Sequence, residues 1–263
     1  MQFFFSTYPF SAIKRVLAAV FTVFLLACHP AIYEKTKDTS INISETTTAH
    51  QQATVLISPF KDSLEKEMNE VLVLSAEEFP KEKGKPETKL GNLVADLSLE
   101  IASKMYDGNI DFCMLNFGGL RTSLPKGEIT RGKIFELMPF ENELVVVTIT
   151  LDSLNKLLNY LYFVSAQPIS NGLTLEKYEI FDGQTFKEGF STKENKYRTE
   201  KEFKILTSDY LANGGDNMTF FLNPINYEKV GIKLRDAIIQ YCVEQHAQGK
   251  QLSGKLEGRI VYE

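Results

Sequence analysis

Apolar residues recur along this chain at two spacings, and the changes between them mark out the elements. An apolar run, Val16 to Leu26, comes first; it is shorter than the ~20 apolar residues a membrane span needs. Residues 28–53 then hold few large apolar groups. After Ser58-Pro59, the residues Phe60, Leu64, Met68 and Val71 return at helical spacing. This predicts a helix capped by Ser58, with Pro59 in its first turn. Val71 to Leu74 reads as the start of a strand, and Phe79 to Lys89 as a polar loop broken by two prolines. Leu90 to Met105 reads as a helix burying Leu93, Ala95, Leu97, Ile101 and Ala102.

The second half continues in the same way. Ile110 to Leu115 is an apolar strand, Lys126 to Thr130 a turn, and Thr130 caps a short helix through Arg131–Leu137. Glu143 to Thr150 carries β-branched residues on both faces, which predicts a strand inside a sheet. Thr150 or Asp152 caps a helix with Leu154, Leu157, Leu158 and Leu161 as its stripe. Residues 163–200 are polar and glycine-bearing, with a hairpin expected around Tyr178–Phe181. Lys204–Thr207 is a strand, Ser208–Asp216 a loop, Val230–Val243 an amphipathic helix and Gly258–Tyr262 a final strand. The alternation predicts an α+β fold: a mixed β-sheet flanked by helices.

The N-terminal pattern gains meaning from its flanks. Lys14 and Arg15 precede the apolar run and no acidic residue occurs before it, as in a signal peptide. The run closes in Leu25-Leu26-Ala27-Cys28, which looks like a bacterial lipobox, with residues 1–27 removed and Cys28 carrying the lipid. Residues 28–53, rich in Thr, Ser and Lys, read as a flexible tether, with His29 and His50 as solvated members of it. Residues 54–263 are left as one folded domain. This organisation implies a protein of the bacterial cell envelope, attached to the membrane through the lipid alone. Net charge is -5, falling to about -7 without Lys14 and Arg15, and an acidic chain argues against nucleic acid as a partner. The other two cysteines, Cys113 and Cys242, lie in apolar stretches and read as buried, inert thiols.

Two stretches concentrate chemistry. Asn116-Phe117-Gly118-Gly119-Leu120-Arg121 follows the first apolar strand. A glycine pair lets backbone approach a ligand closely, Asn116 offers donors and an acceptor, and Arg121 a fork of donors suited to phosphate. Alone, this pattern also describes a tight turn with a solvated arginine. The second stretch, Thr207 to Asp216, again sets a glycine pair after a strand, now with Tyr210 and Asp216 beside Gly214 and Gly215.

Together with Leu90-Gly91-Asn92-Leu93, Gly127-x-Ile129-Thr130 and Pro139-Phe140, these stretches resemble, in order and spacing, the C-terminal domain of 5'-nucleotidases, a family that includes UDP-sugar hydrolases. The resemblance covers roughly residues 54–263. It implies that Phe140 and Tyr210 clamp a base between them and that Asp216 accepts the ribose hydroxyls. It further implies that Asn116 contacts the base and Arg121 faces phosphate, with Gly118, Gly119, Gly214 and Gly215 shaping the pocket. Singly, Phe140 also fits a core residue, Tyr210 a sheet aromatic and Asp216 a turn former.

One departure stands out: where the family carries a further arginine before the Leu-Gly-Asn-Leu stretch, this chain has Pro86, with Lys85 and Lys89 as possible substitutes. A lysine is a point charge without the bidentate fork, so the expectation is weaker phosphate affinity or a nucleoside as the ligand.

Complete enzymes of the family also carry a metallophosphoesterase domain that holds two metals. The three histidines of this chain, His29, His50 and His246, form none of the motifs such a site uses. The expectation is therefore no catalytic residue, metal or cofactor in this chain, with a divalent metal pair in a partner. Three readings follow: the nucleotide- or nucleoside-binding half of a split 5'-nucleotidase, working with a separate metallophosphoesterase lipoprotein; a stand-alone nucleoside-binding lipoprotein; or an interaction module that has lost its ligand. The first also predicts an apolar surface patch near the helix at Ser58–Val71, where the partner would dock.

Overall fold

A computed structural model describes residues 50–164, 166–171, 176–181, 186–191 and 201–260, together with Arg15, Leu17 and Phe21, which are helical. Cys28 and the proposed tether up to residue 49 lie outside the described residues. The chain divides into two units, Met1–Thr54 and Val55–Glu263. Among the described residues, no helix is long and apolar enough to cross a membrane.

The helix α1 (Gln51–Met68) starts eight residues earlier than the pattern predicts, and Pro59 lies inside it. His50 rather than Ser58 opens it: its carbonyl accepts from Thr54 N (2.9 Å) and its Nδ1 faces Ala53 N at 3.4 Å. Pro59 has no N–H for the carbonyl of Val55, four residues before it. The Ser58 hydroxyl donates to that carbonyl instead, at 3.5 Å, so Ser58 mends the ladder and does not cap the helix.

The centre of the domain is a four-stranded sheet in the order β2 (Phe112–Cys113), β7 (Glu202–Ser208), β4 (Glu143–Thr150), β8 (Asn226–Lys233). β2 runs parallel to β7, while β4 is antiparallel to both β7 and β8. As its composition predicts, β4 is interior and buries both faces. Leu144 and Val146 join a core with α2 (Lys89–Met105) and α6 (Leu234–Ala247). Val145, Val147 and Ile149 join the opposite core with Leu154, Leu157 and Leu158 of α4 (Leu151–Asn159), and Leu161 just beyond it.

Helix starts follow local chemistry closely. Thr88, Thr130 and Thr150 each accept a backbone N–H through the side chain, capping α2, α3 (Arg131–Leu137) and α4. Thr150, not Asp152, is the cap of α4. The expected hairpin is β5 (Glu176–Phe181) with β6 (Phe186–Ser191).

Three expectations change. Gly127–Thr130 is a strand, β3, paired antiparallel with β1 (Val71–Ser75), and not only a turn. Val230 to Lys233 belong to the edge strand β8, and the last helix begins at Leu234. At the C-terminus, where a strand over Gly258–Tyr262 is expected, Gly258 and Arg259 are not in a strand, Ile260 makes a single bridge, and Val261 and Tyr262 lie outside the described residues.

Candidate functional site

The sheet topology gathers three loops at one edge. β2 and β7 are parallel, so their C-terminal ends lie together, and β4, antiparallel to β7, begins at the same edge, with Leu144 opposite Ser208. The chain after β2 carries Asn116 to Arg121, the chain after β7 carries Tyr210 to Asp216, and the chain before β4 carries Phe140 to Asn142. These loops enclose a cleft of about 540 Å³ lined by Asn116, Gly118, Gly119, Arg121, Phe140, Glu141, Asn142, Tyr210 and Asp216. That volume lies within the roughly 300–1,000 Å³ of small-molecule sites. Gly214 and Gly215 do not line it; they border a shallower hollow with Asn142, Asp209, Tyr210 and Asn213.

Phe140 is 41% exposed and Tyr210 46%, so neither is the core or sheet aromatic that each fits when taken singly. An aromatic ring left open on a cleft wall is available to stack on a planar ligand. Arg121 sits over the Phe140 ring at 5.9 Å and reaches the Gly118 carbonyl at 3.4 Å.

Hydrogen bonds tie the loops to one another. Asn116 Nδ2 donates to Asp216 Oδ2 at 2.7 Å, joining the first glycine loop to the second. The Tyr210 hydroxyl donates to Asp216 Oδ1 at 2.8 Å and lies 3.2 Å from the Asp216 N–H. The Asp216 side-chain bond holds the Tyr210 phenol above its ordinary pKa of 10.0. Asn142 Nδ2 donates to Asp209 Oδ1 at 3.0 Å, and that oxygen also accepts from Tyr210 N, linking the Phe140 loop to the Tyr210 loop.

The second glycine pair acts from behind this wall. Gly214 takes φ +83°, the left-handed region, and a Cβ on Gly215 would lie 2.5 Å from the Tyr210 ring. Ser208 caps the one-turn helix α5 (Asp209–Ala212) by accepting from Leu211 N, so this stretch is a helical turn and not a plain loop. Asp216 itself adopts φ 52°, ψ 29°, a conformation that aspartate tolerates better than most residues.

Sequence reasoning stopped the middle motif at Phe140 and so missed Glu141 and Asn142. Glu141 is bonded to Lys233 and Arg235, which lower its pKa to about 2. Asn142 accepts from Leu234 N at 2.9 Å through its carbonyl. Arg235 stacks on Phe135 with its guanidinium carbon 4.2 Å from the ring centroid. The β8–α6 junction therefore fixes the loop that presents Phe140. Their adjacency to Phe140 was the only sequence signal, because Lys233 and Arg235 lie over ninety residues away.

Neither lysine suggested as a substitute arginine reaches the cleft. Lys89 is paired with Glu77, and Lys85 borders a small separate hollow with Pro86, Glu87 and Gln167. Among the described residues no three His, Cys, Asp or Glu side chains are grouped to hold a metal ion. Cys113 and Cys242 are buried, and burial pushes both thiols up, Cys242 to about 12.

A family model described as "5'-nucleotidase, C-terminal domain" matches residues 70–223. The chain is 30% identical over 241 residues to the cell wall protein Lmo0130 of Listeria monocytogenes, covering 82% of this chain and 30% of that protein. It is 26% identical to the trifunctional nucleotide phosphoesterase protein YfkN of Bacillus subtilis, covering 86% of this chain and 16% of the relative. It thus spans less than a third of the length of either. Among solved structures, a 5'-nucleotidase precursor from Thermus thermophilus shares the fold at a TM-score of 0.60 and 22% identity, over 80% of this chain and 42% of that one. Glycine loops, exposed rings and family match agree: this chain belongs to the 5'-nucleotidase C-terminal domain family.

Proposed function

We propose that the chain is the nucleotide- or nucleoside-binding half of a split 5'-nucleotidase, acting with a separate metallophosphoesterase in nucleotide hydrolysis and salvage. One observation carries this reading: the cleft brings two exposed rings, an arginine and an aspartate to one place. In this assignment Phe140 and Tyr210 hold the base by stacking, worth about 1–3 kcal/mol per contact in single-strand binders. Asp216, positioned by Asn116 and Tyr210, takes the ribose hydroxyls, and Arg121 faces the phosphate end. Bond cleavage belongs to the partner, whose divalent metal pair would supply activated water.

A further observation supports the assignment. On α1, Val55, Leu56, Ile57, Phe60 and Leu64 are exposed and none of its residues is buried, which suits the expected docking patch. We assign the protein to the bacterial cell envelope, anchored through lipid on Cys28, with the tether ending where α1 begins at Gln51 and not at residue 53; the relative Lmo0130 is a cell wall protein. The test is calorimetry with AMP, UMP and adenosine, followed by phosphate release with divalent metal, with and without the metallophosphoesterase. Binding by the chain, with hydrolysis only when both proteins are present, supports the proposal. Hydrolysis by the chain alone, free of contaminating phosphatase, overturns it.

A further inference from the structure

Asp216 is held through both carboxylate oxygens and both of its backbone groups. Asn116 and Tyr210 donate to the carboxylate, and the Asp216 N–H faces the Tyr210 hydroxyl at 3.2 Å. The Asp216 carbonyl accepts from the Tyr160 hydroxyl at 3.4 Å. Asp216 and Asn217 both take positive φ, 52° and 60°. Non-glycine residues persist in that region where their surroundings over-determine them, and such positions cluster at functional sites. Asn116 and Tyr210 line the cleft, whereas Tyr160 lines no part of it.

Tyr160 reaches the site from the end of α4, where it opens the π-helical turn Tyr160–Val164. Its ring packs edge-on against Phe220, with centroids 5.5 Å apart. Phe220 is buried in the core that includes Val145 and Val147, so the hydroxyl is delivered from a fixed ring. Gln167 joins Tyr160 to the first glycine loop: its Oε1 accepts from Phe117 N at 2.7 Å, which leaves Nε2 to donate. Burial, then the charge of Asp216, holds the Tyr160 phenol above its ordinary pKa of 10.0, and a hydrogen bond with the Gln167 side chain pulls the other way. A bond that lowers a phenol's pKa is one donated to its oxygen. The polar groups therefore run in one direction, from Phe117 N through Gln167 and Tyr160 to the Asp216 carbonyl. They link through backbone the same two loops that Asn116 and Asp216 link through side chains.

We propose that Tyr160 is a positioning residue for Asp216, fixing the backbone from which the carboxylate is presented to the ribose hydroxyls. This rests on the nucleoside-binding reading of the cleft and deepens it: selectivity for a ligand with ribose hydroxyls depends on a residue that never touches the ligand. Removing the Tyr160 hydroxyl frees the Asp216–Asn217 peptide to relax from its left-handed geometry, and the carboxylate turns with it. Stacking between Phe140 and Tyr210 is not carried by this contact, so the base loses nothing.

The experiment titrates adenosine and 2',3'-dideoxyadenosine into the full chain and into Tyr160→Phe and Tyr241→Phe variants. Tyr160→Phe keeps the ring against Phe220 and removes only the hydroxyl; Tyr241, on α6 and outside the cleft, is the control. Equal melting temperatures check the fold. The expected result is adenosine affinity lowered about fivefold in Tyr160→Phe, dideoxyadenosine affinity unchanged within about twofold, and no effect of Tyr241→Phe on either. A merely structural role would weaken both ligands alike. Equal losses for both, or no loss for either, overturn the positioning role while leaving the nucleoside cleft standing. If the unaltered protein binds neither ligand, or binds both equally, the ribose assignment of Asp216 itself fails and the role of Tyr160 with it.

Discussion

The burden on single residues is clearest at Tyr210. Its ring forms one wall of the cleft while its hydroxyl holds Asp216, so the two functions separate by substitution. Tyr210→Phe keeps the ring and releases one Asp216 oxygen. Its expected signature is a smaller loss for ligands lacking ribose hydroxyls, such as a 2',3'-dideoxynucleoside, than for adenosine. Gly215→Ala tests the wall from behind. A Cβ 2.5 Å from ring atoms forces Tyr210 to shift, so calorimetry with adenosine is expected to show weaker binding although the glycine itself lines no part of the cleft. A control of the same scale concerns the thiols. Cys113 and Cys242 are buried and their pKa values raised, so peptide mapping after iodoacetamide at neutral pH is expected to find both unmodified until denaturant is added.

At the scale of elements, the strands deliver the loops and distant ion pairs hold them. Glu141 illustrates the pH consequence. Lys233 and Arg235 lower its pKa from 4.5 to about 2 in the fold. A group depressed in this way stabilises the fold above its unfolded pKa, and that contribution is lost as pH falls from about 4.5 towards 2. Glu87 follows the same sign: burial opposes the shift, but hydrogen bonds from Glu257 N, Asn92, Arg259 N and Gly258 N still lower its pKa. Glu87 thereby pins the C-terminal segment to the start of α2. Glu87→Ala is expected to cost about 1–2 kcal/mol near neutral pH, and thermal melts should show the gap from the unaltered protein narrowing below about pH 4.5. Thr130→Ala removes the cap of α3 and is expected to cost about 1 kcal/mol, read from the denaturant midpoint.

These elements also show what a sequence can reveal. The bounds of β4 and the start of α3 were legible because their signals are local: a run of β-branched residues, and a threonine immediately before a helix. The sequence of β3 looks like a turn because its strand character comes from pairing with β1, more than fifty residues earlier. β8 was absorbed into the helix after it because Val230, Ile232 and Leu234 fit either period over so short a window. Likewise the chemistry-bearing residues of the cleft stand out in motifs, while Lys233 and Arg235, which hold Glu141, do not. They act across the fold from positions with no local signature.

For the whole molecule, the proposed function gives this chain the holding of a ligand and a partner the breaking of its bond. If α1 carries the docking face, Phe60→Ser, which removes an exposed ring remote in sequence from every cleft residue, is expected to leave adenosine affinity unchanged. The same substitution is expected to reduce capture of the metallophosphoesterase in a pull-down. Equal capture would remove α1 from the interface.

The central claim is that Phe140 and Tyr210 grip a nucleoside between them, and calorimetry on the Phe140→Ala/Tyr210→Ala double variant tests it most directly. Two lost stacking contacts at about 1–3 kcal/mol each predict that adenosine affinity falls by at least about thirtyfold, with the melting temperature little changed because both rings are exposed. Superimposable titrations for the double variant and the unaltered protein would contradict the account.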